Sequence, residues 1–163
     1  MGNALSPLFE HNLWANLRLL DACRGLTQEQ LSVTIAGVYG TPAATFVHYL
    51  RGEQRYISRL GGEPPEIARG AIPWPGVDAL AGHAQRSGEG LLALAERLDP
   101  AYLTRQEFER TMEIEAGVIL VQAINHSTEH RAHIVTTLSA HGIVMPEIDG
   151  WAWGEATGRA RPA

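Results

Sequence analysis

The sequence predicts an all-α protein of four long helices, with one small extended piece before the last. Three observations carry this. Four long stretches place apolar residues at helical spacing, Gly or Pro punctuates nearly every boundary, and only residues 101–115 alternate instead. At 163 residues, 45% of them hydrophobic, the chain suffices for a single domain, 1–163, with a sizeable core.

The first helix is expected from about Pro7 to Arg24, with Phe9, Leu13, Leu17 and Leu20 as its apolar stripe and Gly25 as its stop. Thr41-Pro42 opens the second, Thr as cap and Pro at the first helical position; it runs to Leu60 before Gly61-Gly62. Residues 61–76 hold four prolines and four glycines and read as a connector. The third helix spans Val77 to Leu98, closed by Asp99-Pro100 and weakened by Gly82, Gly88 and Gly90. Residues 101–115 read as an extended segment or small hairpin. The fourth helix runs from Ala116 to Ala140, with His141-Gly142 as its stop. Beyond it the tail carries Trp151 and Trp153, and residues 158–163 are expected to fray.

Composition narrows the function. All 13 basic residues are Arg, which excludes a Lys nucleophile or Schiff base, and 18 acidic residues leave a net charge of −5. Nothing here suits nonspecific nucleic-acid binding. The single cysteine, Cys23, can make neither an intrachain disulfide nor a thiolate zinc cluster, and reads as a buried structural thiol. No run of apolar residues is long enough to cross a membrane, and the first 20 residues lack the pattern of a secretory signal, so a cytoplasmic location is expected.

The chemistry concentrates in histidine. His126, His130 and His133 fall at i, i+4 and i+7 on one stripe of the fourth helix, opposite Val121, Ile124, Val135 and Leu138. This helix is thus expected to bury its apolar side and turn its imidazoles the other way. Two His at i, i+4 can chelate one divalent metal; the plain alternative is a polar helix face. Residues 126–130 also spell H-x-x-E-H, the inverted zinc-protease signature, but only 33 residues follow His130, and no third ligand sits where that chemistry wants it. On the second helix His48 shares its side with Arg51, Gly52, Arg55 and Arg59, away from Phe46, Leu50, Ile57 and Leu60, and taken alone reads as a surface histidine.

Three segments in this order resemble the DinB family: Leu13-Trp14-Ala15-Asn16-Leu17-Arg18-Leu19-Leu20, Phe46-Val47-His48-Tyr49-Leu50, and Asn125-His126-Ser127-Thr128-Glu129-His130-Arg131. Met145-Pro146-Glu147-Ile148-Asp149 is similar as well. The resemblance implies an up-down-down-up four-helix bundle, DinB/YfiT-like, and a divalent metal (Zn, Ni or Fe) held by His48, His126 and His130 in an open groove beside the main core. It implies an enzyme that activates a small-molecule thiol (S-transferase-like) or, as a hydrolase, water. The alternative is a non-catalytic, stress-related metal-binding or dimerising protein with a structural or vestigial site.

Three neutral imidazoles leave the metal its double charge and an open position. Around them, His133 is a candidate fourth ligand, hydrogen-bonding neighbour or proton shuttle. Glu129 is a candidate general base, or only an i,i+4 partner of His133. Arg51 and Arg55 can bind carboxylates of a low-molecular-weight thiol cosubstrate, or form a solvated helix face. Trp151 and Trp153 can wall the groove or plug one end of the bundle. Unperturbed imidazoles would release metal as pH falls through about 6–6.5. A homodimer is expected, from the apolar face of the fourth helix and because the resemblance implies pairing.

Overall fold

The computed structural model describes residues 4–70 and 73–162. Among these, helix dominates: α1 (Ser6–Ala22), α2 (Pro42–Arg59), α3 (Val77–Arg97), α4 (Ala116–Ala140) and a short α5 (Gly150–Ala156). A 3-10 turn at Gln30–Ser32 lies between α1 and α2. Strands β1 (Leu103–Glu107) and β2 (Thr111–Glu115) form the hairpin, antiparallel, with Leu103 opposite Glu115 and Glu107 opposite Thr111. Among the described residues no helix is long and apolar enough to cross a membrane.

The boundary signals act as the sequence suggests. Thr41 Oγ1 accepts from the Ala44 amide at 3.2 Å, and Pro42 begins the helix where no amide proton is needed. Gly142 takes φ +77° after α4, a left-handed turn that lets the Ile143 amide donate back to Leu138 O at 3.1 Å. The tail adds a helix that the sequence reading does not expect: Asp149 Oδ1 caps α5 by accepting from the Ala152 amide at 2.9 Å. The α5 helix is fixed to α1, where the His11 ring meets Trp14 and Trp153. Of the residues expected to fray, Arg159 pairs with Glu10 and lies over the Trp153 ring at 4.5 Å.

The α1 helix packs most extensively on α3, and α2 on α4. Two of the glycines that weaken α3 as a helix, Gly88 and Gly90, let it come close to its neighbours. A Cβ on Gly88 would lie 2.6 Å from Leu13 Cδ1 and 2.8 Å from Leu13 Cβ, and one on Gly90 would lie 2.9 Å from Ile57 Cδ1.

The apolar core is split in two. One cluster holds Leu19, Leu20, Phe46, Leu50, Leu80 and Ile134; the other holds Phe9, Leu60, Leu91, Leu94, Ala116 and Leu120. Along each long helix buried polar residues lie between the two clusters: Asn12 and Asn16, Glu53, Ser87, then Ser127 and Arg131. Glu53 is wholly buried. Its Oε1 accepts from Asn12 Nδ2 (2.8 Å), Asn16 Nδ2 (2.9 Å) and Ser127 Oγ (2.8 Å), and its Oε2 accepts from Ser87 Oγ (2.5 Å). The same two asparagines turn their carbonyls to Arg131, whose Nη1 donates to Asn12 Oδ1 at 2.6 Å and Asn16 Oδ1 at 2.7 Å. All four long helices meet at this one carboxyl group.

This layer corrects two sequence expectations. In α1 the buried set is Ser6, Phe9, Asn12, Ala15, Asn16, Leu19 and Leu20, with Leu13 and Leu17 only half-buried. In α4 the expected apolar face is only partly inward: Leu138 is buried but Val121 is 61% exposed, and Ser127 and Arg131 are turned inward instead. Ser127 and Arg131 occupy interior positions because each has hydrogen-bonding partners there.

Glu53→Ala should strand at least four donors and the Arg131 charge in the interior. A loss of about 3–5 kcal/mol is expected, read as a lower midpoint in urea unfolding of the metal-free protein.

Candidate metal centre

Behind the polar layer, the outer sides of α2 and α4 face each other. Ser127 bonds inward to Glu53, so its neighbour His126 is turned toward the groove; Arg131 and His130 repeat the pattern one turn on. On α2, Glu53 faces inward and Gly52 lies against the His126 ring. A Cβ on Gly52 would sit 2.6 Å from His126 Cε1 and 2.9 Å from its Nδ1, so only glycine leaves room for the imidazole.

His48, one turn before Gly52, points into the same space. Its Nε2 lies 3.1 Å from His126 Nε2, and one nitrogen from each of His48, His126 and His130 lies within 4.8 Å of the others. Two nitrogens at about 2.0–2.1 Å from one tetrahedral metal are about 3.3 Å apart, close to the spacing of the first pair. Tyr39 stacks on His48 with centroids 4.0 Å apart and sets its hydroxyl 2.8 Å from His48 Nδ1. In the tautomer whose Nδ1 proton is donated to that oxygen, Nε2 keeps its lone pair for the groove. Nδ1 of both His126 and His130 is buried without a hydrogen-bond partner. This donor set, three imidazoles beside buried nitrogens lacking partners, fits a divalent transition metal.

The surroundings keep these imidazoles neutral. Burial pushes His126 down to about 4, helped by His48 and Arg55; burial also takes His130 to about 4, with His126, His48 and His133 adding to it. His48 is lowered by burial and by Arg55 and Arg51. Proton competition for the His126 and His130 nitrogens is therefore expected near pH 4, below the range of about 6–6.5 for free imidazoles.

Of the other predicted residues, His133 stays outside the three-histidine set; its ring lies 5.5 Å from that of His130, and its Nδ1 has no partner. Arg51 and Arg55 line both cavities that flank His48. Glu129 is exposed, lines neither cavity, and makes no ion pair with His133. Its charge only raises the His130 pKa slightly against the larger lowering effects. Trp151 is a correction: it is 80% exposed on α5 and walls no part of the groove, because α5 docks on α1 instead. Cys23 is buried, and burial pushes its thiol up to about 12. Sequence reasoning missed Tyr39, Tyr56 beside His126, and the hairpin wall of Gln106, Phe108 and Ile114. Gly52, four residues after His48, carried a legible signal, since a glycine inside a helix calls for a close neighbour.

A model of the DinB family matches residues 1–160. No curated protein matches the chain. A crystal structure of a DinB-like protein from Bacillus cereus ATCC 10987 superposes with a TM-score of 0.66 at 20% identity, covering 85% of this chain and 91% of that one, and shows a common fold.

Two outcomes are expected. Gly52→Ala should weaken divalent-metal binding by at least about tenfold with all histidines intact, as an added methyl displaces His126; chelator competition measures it. Because His126 and His130 fall from about 6.5 unfolded to about 4 folded, the unfolded state takes up more protons between those values. Stability of the metal-free protein should thus fall as pH is lowered from about 6.5 to 4, seen in urea midpoints across that range.

Proposed function

We propose, for a chain that belongs to the DinB family, that His48, His126 and His130 hold one divalent transition metal with an open coordination position facing the groove. The observation that carries this is the convergence of three imidazole nitrogens within 4.8 Å beside the space left by Gly52. When bound, such a metal supplies Lewis acidity enough to make a water or thiol nucleophilic near neutral pH. The residues around it do the rest. Tyr39 orients His48, and the Glu53–Ser127 bond fixes α2 against α4. The reaction class we favour is transfer of a small-molecule thiol to an electrophile, with hydrolysis as its variant. Cys23, buried with its pKa raised, is unsuited to serve as the nucleophile, so the thiol would come from outside. One observation favours the non-catalytic reading: Glu129, the acid/base candidate, faces solvent.

The order of the core clusters supports the up-down-down-up bundle as the finer fold. In α1 and α4 the chain passes from the Phe9–Leu120 cluster to the Leu50–Ile134 cluster, and in α2 and α3 it passes back. Pairing of two copies is proposed through the apolar surface of Leu8, Val118 and Val121, all more than half exposed beside an apolar cleft. The single-domain reading and the cytoplasmic location remain part of the same proposal.

Zinc or nickel should load to about one ion per chain. His48→Ala, His126→Ala and His130→Ala should each lose stoichiometric metal, while His133→Ala keeps it, by elemental analysis after dialysis. Full metal content in His126→Ala and His48→Ala would refute the triad. For pairing, light scattering should give twice the monomer mass at micromolar concentration, and Val121→Glu should return the monomer.

A further inference from the structure

In a chain of net charge −5, the two cavities beside His48, of about 350 and 490 Å3, have no Asp or Glu in their walls. They share His48, Arg51 and Arg55, so the two arginines form the divide between them. Four other arginines find acids: Arg24 with Asp21 and Asp78, Arg86 with Glu66, Arg105 with Glu107, Arg159 with Glu10. Arg51 and Arg55 make no ion pair or hydrogen bond with any described residue, and Arg51 Nε is buried without a partner. Arg69 lines the second cavity, and its positive charge bears on Arg51 together with that of Arg55. Arg59, next on the same stripe, is already engaged. It donates to Gln106 Oε1 at 2.7 Å and lies 4.3 Å over the Phe108 ring, which ties α2 to the hairpin.

Like charges gathered without counter-ions disfavour the folded chain unless an anion joins them. The guanidinium fork suits a carboxylate or phosphate. The first cavity continues from the arginines onto Tyr56, Phe108, Ile114 and Ile119. Cavities of this size take small molecules rather than polymers.

We propose that the first cavity binds a small amphipathic organic anion, its carboxylate or phosphate held by Arg51 and Arg55 at the divide and its apolar body lying against Phe108 and Ile114. The inference rests on the metal reading only in making this anion the substrate presented to the histidines. The anion contact itself needs no metal.

Calorimetric titration tests it with three probes: 4-phenylbutyrate, phenyl phosphate and the neutral 4-phenylbutan-1-ol. Each is added to metal-free protein and to protein loaded with one equivalent of zinc. The acids should bind metal-free protein at least about tenfold more tightly than the alcohol. The tighter of the two acids identifies the headgroup the arginines select. Arg51→Gln and Arg55→Gln should each weaken the acids by about tenfold and leave the alcohol unchanged. Arg97→Gln, exposed on α3, should change neither. Arg55 is itself exposed, so its variant carries the test even if Arg51→Gln unfolds. Equal binding of alcohol and acids, or acids indifferent to the Arg55 change, would overturn the proposal. Acids that bind only zinc-loaded protein and ignore both arginines would be metal ligands; this inference then fails while the metal site stands. Acids that depend on the arginines in a protein that takes up no zinc would leave this inference intact and remove the metal reading.

Discussion

A carboxyl group buried at the meeting point of four helices constrains this molecule more than any apolar contact. Glu53 accepts hydrogen bonds from Asn12 and Asn16 of α1, Ser87 of α3 and Ser127 of α4. Apolar residues can slide by a fraction of a turn at modest cost, but a wholly desolvated carboxyl cannot lose its donors. The register of each helix is therefore set at the middle of its length, and the two apolar clusters pack on either side of that layer. Arg131 closes the network from the other side through the same two asparagines, so opposite charges share neutral amides as intermediaries.

The histidine cluster follows from that register. Ser127 and Arg131 are the inward neighbours of His126 and His130, and Glu53 is the inward neighbour of Gly52. Fixing the polar triplet on one side of the α2–α4 contact fixes the imidazoles and the glycine on the other. The two arrangements are back to back, one residue apart in sequence on both helices. An imidazole site of this kind gains from such backing, since a metal affinity depends on ligands already held in place. The groove outside it is then shaped by the hairpin, which Gln106 joins to α2 by donating to the Arg59 carbonyl at 3.0 Å.

Much of this was legible beforehand. Gly, Pro and Thr signals located α1 to α4 and the hairpin within a few residues, because those residues act through backbone geometry that needs no tertiary context. The i, i+4 spacing of His126 and His130 is likewise a property of one helix. His48 was different: its wheel placed it on a surface, and only the family resemblance moved it to the site. The polar layer was hidden because Asn12, Asn16, Glu53 and Arg131 look like exposed residues until their partners on other helices are known. For the same reason the inward face of α4 was misjudged in part, and Tyr39 was passed over in a segment without periodicity. Helix α5 is seven residues long and depends on its Asp149 cap and the His11–Trp153 contact, too little pattern for a sequence to announce.

The central claim is that α2 and α4 together present one site of three imidazoles with a free position. X-ray absorption at the zinc edge, on protein loaded with one equivalent, addresses it directly. The account predicts a shell of nitrogen and oxygen at about 2.0–2.1 Å, with multiple scattering from three imidazoles and at least one further oxygen donor. A sulfur scatterer near 2.3 Å, or scattering from fewer than two imidazoles, would contradict it.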